Sequence, residues 1–268
     1  YKPDTETGKK IKIKSIKNYL AKLVLKFDKF IHKNFDFLNL NKLDKFGTNY
    51  EWIFPYLNED LDLLTDKTFV EVGSRDAYDS LGLIEKFNFC NGYIFEPSYT
   101  GILKCIENIK LHRKLSKKLS LFPFGLGNRN GLQTFFEYRH FTANENIPNY
   151  GASTFNTISS ENNVSYEVPI YELDYLNLNL TNNYLIIMDC EGSELDVLQG
   201  SKNSISFTKY ICLETTYKLS FEIKSFLENL DFKLIDNDCK NTIKEELPKP
   251  INTQNSKFNL LFKNQNYI

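Results

Sequence analysis

Arginine and long apolar runs are scarce in this sequence. Arginine occurs only at positions 75, 113, 129 and 139, and the other 29 of the 33 basic residues are lysine. Arginine makes the forked contacts that suit phosphates best, and the formal net charge is −1, so we expect no nucleic-acid partner. No apolar run approaches the ~18 residues that a membrane-spanning helix needs, so we expect no transmembrane segment.

Cysteine is also sparse. The five cysteines are odd in number, widely spaced and without a C-x-x-C pair, which argues against a disulfide framework and against a zinc site. We therefore interpret the chain as a reduced, cytoplasmic protein. The first residue is Tyr1 rather than Met, which indicates a trimmed chain or a part of a longer one. A homo-oligomer is a further expectation.

The N-terminal region differs in composition from the rest of the chain. Residues 1–45 carry twelve lysines against five acidic residues, and apolar residues recur at helical spacing between Ile16 and Ile31. This pattern predicts a helical, Lys-rich extension over residues 1–66. We expect its apolar face to pack on the main domain or on a neighbouring subunit. Contact of residues 10–45 with an anionic membrane surface is the alternative.

Residues 67–268 alternate short apolar strands with helices. This alternation predicts one α/β domain with a mostly parallel sheet covered by helices on both faces. The predicted helices include 77–88, 99–115, 193–203 and 219–230, and the predicted strands include 68–72, 92–95, 119–124, 132–137, 166–171, 184–188, 210–213, 232–236 and 257–263. Such sheets bind ligands at the carboxyl ends of their strands, so residues at strand ends are the first candidates for a site.

The first strand ends in Glu71-Val-Gly-Ser-Arg-Asp-Ala77. Gly73 lets the backbone approach a ligand, but the dinucleotide pattern G-x-G-x-x-G is missing. The carboxylate of Glu71 would repel a pyrophosphate and suits a ligand with an ammonium and a sulfonium, as in S-adenosylmethionine. We predict cofactor contacts by Glu71, Gly73, Ser74 and Arg75. The hydroxyl of Ser80, near the start of the next helix, could reach the carboxylate of such a cofactor.

The second strand ends in Phe95-Glu96-Pro97-Ser98. Glu96 lies 23 residues after Gly73, where a carboxylate can accept hydrogen bonds from both ribose hydroxyls of an adenosine. Pro97 fixes the turn that follows. Glu96, Pro97 and Ser98 are therefore predicted to complete the cofactor site at this strand end.

Carboxylates also follow two later strands. Asp189 and Glu191 come directly after an apolar strand, and Glu214 ends the next one. Asp189 and Glu214 could together bind Mg²⁺, Mn²⁺ or Ca²⁺, or Asp189 could accept a proton directly. The remaining interpretation is that Asp189 and Glu191 only cap helix 193–203 and orient the cofactor, which makes Asp189 a cofactor-binding residue. His140, in a polar and aromatic stretch, is a further candidate for the base.

These motifs resemble those of the FkbM-type methyltransferases. The family's D-V-G-A-N-x-G is similar to Glu71–Ala77, its F-E-P to Phe95–Pro97, and its I-D-V-E-G-x-E-x-x-V-L-x-G to Met188–Gly200. Its glycine-bearing turn after the third strand resembles Phe124–Gly131, which adds Gly125 and Leu126 as cofactor contacts. The resemblance covers roughly residues 67–265. It implies a Rossmann-like class I methyltransferase with an antiparallel last strand, S-adenosylmethionine as cofactor, and O-methylation of a sugar, glycan or related small molecule.

Two other classes of protein remain open at this point. A nicotinamide-dependent sugar oxidoreductase or epimerase shares this kind of sheet, but Glu71 and the missing second glycine disfavour it. A non-catalytic domain of a larger glycan-assembly protein is the other alternative, because the first motif departs from the family pattern at three positions.

Overall fold

A computed structural model of the chain describes residues 49–59, 64, 66–138, 140–141, 148–149, 154–155, 163–239, 242–248 and 257–267. The predicted extension over residues 1–66 falls mostly outside this range, and the predicted membrane contact of residues 10–45 falls wholly outside it. Both stay predictions. Within the described part of the chain, no helix is long and apolar enough to cross a membrane.

The described residues form twelve strands. These are β1 (Thr68–Val72), β2 (Asn91–Phe95), β3 (Leu119–Phe122), β4 (Gly125–Leu126), β5 (Gly131–Tyr138), β6 (His140–Phe141), β7 (Pro148–Asn149), β8 (Asn163–Tyr171), β9 (Asn183–Met188), β10 (Tyr210–Thr216), β11 (Phe232–Asn237) and β12 (Lys257–Asn264). Seven of them make the main sheet, in the order β11-β12-β10-β9-β1-β2-β3. Strands β3, β2, β1, β9 and β10 are parallel, and β12 runs antiparallel to both β10 and β11. The predicted sheet with an antiparallel last strand is confirmed.

Along the chain, helices alternate with the strands of this sheet. They are α1 (Phe54–Asn58), α2 (Tyr78–Phe87), α3 (Tyr99–Leu111), α4 (Arg113–Ser116), α5 (Glu194–Gln199), α6 (Lys202–Ile205) and α7 (Tyr217–Glu228). Successive side chains of a strand point to opposite faces, so Phe69 and Val70 of β1 belong to different cores. One core contains Val197 of α5 and Ile223 of α7, and the other contains Leu83 of α2. The sheet is therefore covered on both faces.

The segment just before β1 packs into the second core. Tyr50, Ile53, Phe54 and Leu57 are buried there, and the ring of Phe54 meets that of Phe87 edge-on with centroids 4.9 Å apart. A short 3₁₀ helix, Glu51–Ile53, leads into α1. These residues thus pack as part of the sheet domain, although they precede residue 67.

A second, smaller sheet interrupts the main alternation. Strands β4, β8 and β5 pair in that order, with β5 antiparallel to β8 from Gly131↔Ile170 to Tyr138↔Asn163. Strands β6 and β7 form a short separate pair. The predicted strand 132–137 is therefore the longer strand β5, and it belongs to a distinct sheet.

Two predicted elements differ in their extent. The predicted helix 193–203 is divided into α5 and α6, because the chain around Gly200 passes against another loop: a Cβ on Gly200 would lie 1.9 Å from the carbonyl oxygen of Gly127. Asp174 then caps the new helix by accepting from the backbone N–H of Asn203 and Ser204. Strand β10 runs to Thr216 rather than to residue 213, so Glu214 lies within the strand.

Candidate active site

A cleft opens at the carboxyl ends of β1, β2 and β9. The order of the main sheet reverses between β1 and β9, and open α/β sheets bind their ligands at such a reversal. The acidic residues lining it are Glu71, Asp79, Glu96, Asp189 and Glu191. Among the described lining residues, Arg75 is the single basic one, so the cleft carries a net negative charge.

Gly73 allows the loops after β1 and β9 to meet at the floor of this cleft. Its φ is +81°, and a Cβ would lie 1.9 Å from the carbonyl oxygen of Asp189. The backbone N–H of Gly73 donates to the carbonyl of Phe95, and that of Asp189 donates to the carbonyl of Val72. Only glycine fits between these two strand ends, which explains the single glycine of the first motif.

Glu71 lies at the end of β1 with 3% of its surface exposed. Burial, and then the charge of Asp79, raises the pKa of Glu71 to about 8. The hydroxyl of Ser80 donates a hydrogen bond to Glu71 Oε2 and is itself fully buried. Ser80 was predicted to reach a cofactor; the structure instead places its hydroxyl behind Glu71, where it holds the carboxyl group.

Glu96, at the end of β2, is held by two backbone donors. The N–H of Arg75 donates to Oε2 and the N–H of Ser98 donates to Oε1, and each donor–acceptor distance is 2.7 Å. Burial raises the pKa of Glu96 to about 7. Gly101 packs against this side chain so closely that a Cβ there would lie 2.7 Å from Glu96 Cδ. The carboxyl group is therefore fixed in orientation while it lines the cleft.

The segment around these two acids is shaped by tight turns. Arg75 has a φ of +59°, and its guanidinium pairs with Asp76. The hydroxyl of Ser74 accepts a hydrogen bond from the N–H of Ala77. Ser98 is the N-cap of α3, and its hydroxyl accepts from the N–H of Gly101 in the first turn of that helix. The predicted contact residues Ser74, Arg75, Pro97, Ser98, Gly125 and Leu126 all line the cleft.

Asp189 lines the cleft beside Gly73. Its Oδ1 is buried and has no hydrogen-bond partner among the described residues. Burial, and then the charges of Glu214 and Glu191, raises the pKa of Asp189 to about 7. Asp189 therefore has one oxygen without a partner among the described residues, and its carboxyl group can exchange a proton near neutral pH.

Glu191 and Glu214 lie next to Asp189, and one carboxylate oxygen of each of the three lies within 4.8 Å of the others. The structure thus brings the predicted metal ligands together. However, Lys257 binds both Glu191 and Glu214, with 2.6 Å between its Nζ and Glu214 Oε1. Glu214 is not among the cleft-lining residues, and its predicted role beside the reacting atoms stays a prediction.

Some residues of the cleft could not be predicted from sequence motifs. Phe135 and Phe155 line the cleft from two distant segments, so no local spacing relates them to it. Asp79 could have been found, since it lies in the first turn of the helix that follows Gly73. His140 belongs to strand β6, but its side chain lies outside what the structure describes.

The sheet order, with the antiparallel β12, is that of the Rossmann-like class I methyltransferase fold. A nicotinamide-binding sheet of the doubly wound kind is mostly parallel, whereas here an antiparallel β12 is inserted between β10 and β11. The sequence model of the methyltransferase FkbM domain matches residues 71–234. The chain belongs to the FkbM methyltransferase domain family.

Several solved structures are similar in outline. Methyltransferase FkbM from Methylobacillus flagellatus KT is 12% identical, with a TM-score of 0.48, over 74% of this chain and 44% of that one. This chain thus spans less than half of that protein. TrmK of M. capricolum, solved with S-adenosyl-homocysteine, is 10% identical with a TM-score of 0.41, over 79% and 69% of the two chains. An rRNA methylase from Streptococcus thermophilus is 9% identical with a TM-score of 0.46, over 81% and 99%. A search of curated proteins gave no match.

Proposed function

We propose that this protein is an S-adenosylmethionine-dependent O-methyltransferase that acts on a hydroxyl of a sugar, glycan or related small molecule. The observation that carries the proposal is the acidic cleft where the strand order reverses, with Glu71 and Glu96 at the ends of neighbouring strands. Membership of the FkbM family supports methyl transfer.

The residues of the cleft fit this cofactor. Each oxygen of Glu96 accepts one backbone N–H and retains a lone pair, so the carboxyl group can also accept from two neighbouring ribose hydroxyls. Gly73 and Gly101 let the loop after β9 and the side chain of Glu96 pack closely at this end of the sheet. Asp79 and Asp189 favour the cationic methionine end and disfavour a pyrophosphate. This charge supports S-adenosylmethionine over a nicotinamide dinucleotide.

The bound cofactor supplies an electrophilic methyl group on a sulfonium. The protein must then orient the acceptor and remove the proton of its hydroxyl. Asp189 is the group best suited to accept that proton, because it lines the cleft, its Oδ1 has no partner among the described residues, and its pKa is raised to about 7. Phe135 and Phe155, whose ring centroids lie 5.0 Å apart, give the cleft an apolar side.

The charge of the cleft also favours a neutral acceptor over RNA. Five acidic residues line it, and the described lining contains one arginine. A phosphodiester backbone would be repelled here, since proteins bind nucleic acid mainly through lysine and arginine contacts to phosphates. A polyol brings no negative charge, and its hydroxyls can donate to carboxylates. The acceptor class is therefore proposed as a neutral hydroxyl compound.

The experiment is a methyl-transfer assay with S-adenosylmethionine that carries a radiolabelled methyl group. Neutral oligosaccharides and tRNA are offered separately as acceptors. We expect label in the oligosaccharide pool only, and a loss of about 10²- to 10⁴-fold in rate for Asp189→Asn. Asp196→Asn is the matched control, because Asp196 is exposed on α5 and bonds to Asn128 outside the cleft. Transfer to tRNA, or an unchanged rate for Asp189→Asn, would contradict the proposal.

A further inference from the structure

The acidic cluster beside the cleft contains a positively charged side chain, that of Lys257. The cluster is formed by Asp189, Glu191 and Glu214, each with an oxygen within 4.8 Å of the other two. The ammonium group of Lys257 contacts Glu191 Oε2 and lies 2.6 Å from Glu214 Oε1. One lysine thus bridges the loop after β9 and the strand β10.

The position of Lys257 follows from the antiparallel ladder between β10 and β12. Glu214 pairs with Asn259 and Thr216 pairs with Lys257. Residues two apart on a strand share a face, so Lys257 is a diagonal neighbour of Glu214 on the same side of the sheet. The antiparallel strand β12 therefore places the ammonium group of Lys257 beside Glu214.

Three carboxylates at such short separations repel one another and need a compensating positive charge. In many enzymes an oxygen-ligated divalent ion supplies that charge. Here the ammonium group of Lys257 already contacts two of the three acids. Burial on its own would lower the pKa of Lys257, but its hydrogen bonds to Glu191 and Glu214 raise that pKa, so the side chain stays charged.

We propose that Lys257 occupies the place that a divalent ion would otherwise take, so that the cluster needs no metal. Lys257 is a positioning residue: it holds Glu191 and Glu214 beside Asp189 and contacts no reacting atom. The inference deepens the proposed function, since it implies that proton removal at Asp189 proceeds without a metal, and only that consequence rests on the proposed function. The charge balance of the cluster stands independently of it.

The test is binding of Mn²⁺, followed by the electron paramagnetic resonance signal of the free ion, with neither cofactor nor acceptor present. We expect no binding to the cluster in the parent protein at about 1 mM Mn²⁺. Lys257→Met removes the ammonium and leaves three carboxylate ligands, so this variant should bind one ion with a dissociation constant of about 1 mM or tighter. Mn²⁺ should also raise its melting temperature.

Two further variants keep the test decisive. Lys263→Met removes the same charge from the other end of β12 and should bind no Mn²⁺. Lys257→Met combined with Glu214→Gln should lose the binding that Lys257→Met gains. If Lys257→Met does not fold, Lys257→Gln takes its place. Binding of Mn²⁺ by the parent that Glu214→Gln abolishes would overturn the proposal. Folded Lys257 variants that bind no Mn²⁺ would overturn it equally, whether or not the protein transfers methyl groups.

Discussion

Replacing Glu96 by Gln should weaken the binding of S-adenosylhomocysteine by about 1.5–3 kcal/mol, which is about 10- to 150-fold in dissociation constant. The magnitude follows from the two backbone donors, Arg75 N–H and Ser98 N–H, that each lie 2.7 Å from one oxygen of this carboxyl group. A glutamine has one amide oxygen, so its NH₂ group must face one of those donors. The variant therefore loses an acceptor for the ribose and places two donors against each other.

The assay is isothermal titration calorimetry of the parent and of Glu96→Gln, after circular dichroism has shown that the variant is folded. Glu167→Gln is the matched control, because Glu167 is exposed on β8 and accepts from Thr134 away from the cleft. The control should bind within about twofold of the parent. If Glu96→Gln also bound as tightly as the parent, Glu96 would not hold the ribose and the placement of the cofactor at the end of β2 would be wrong.

Three further predictions follow from the same cleft. Because burial raises the pKa of Glu71 to about 8, the unfolded chain releases this proton at lower pH than the folded chain, and the parent should lose stability as the pH rises from about 4.5 to 8. Glu71→Gln removes this loss, so thermal denaturation should show the variant gaining about 2 kcal/mol or more on the parent between pH 5 and 8; a constant difference would contradict the burial of the charge. Gly101→Ala places a Cβ 2.7 Å from Glu96 Cδ and should weaken the calorimetric affinity for S-adenosylhomocysteine by about tenfold, whereas an unchanged affinity would show that Glu96 is free to move. Because the pKa of Asp189 is raised to about 7, kcat/KM should rise with pH through about 7 as the carboxylate forms; initial rates that stay level across this range would exclude Asp189 as the proton acceptor.

Much of the main sheet could be predicted from local patterns. Apolar strands ending in glycine or an acid marked β1 and β2, and the long motif after β9 marked the junction with α5. Residues such as Gly73, Glu96 and Asp189 could be predicted because they lie at the carboxyl ends of parallel strands, which meet at one edge of the sheet. For these residues, sequence position alone determines the place in the fold.

The remaining features depend on contacts between distant segments. Phe135 and Phe155 reach the cleft through tertiary packing that no periodicity encodes. The hydroxyl of Ser80 donates to Glu71 rather than facing the cleft, because a buried carboxyl group requires a hydrogen-bond partner. Lys257 could not be assigned either, since its contact with Glu214 depends on the register between β10 and β12.

The measurement that tests the central claim most directly is equilibrium binding of the parent protein to S-adenosylmethionine and to NAD⁺. The acidic cleft with Glu71 and Glu96 at neighbouring strand ends predicts binding of S-adenosylmethionine and no binding of NAD⁺. Binding of NAD⁺ would indicate an oxidoreductase, and binding of neither ligand would indicate a domain without this catalytic activity. Either result would contradict the proposed function.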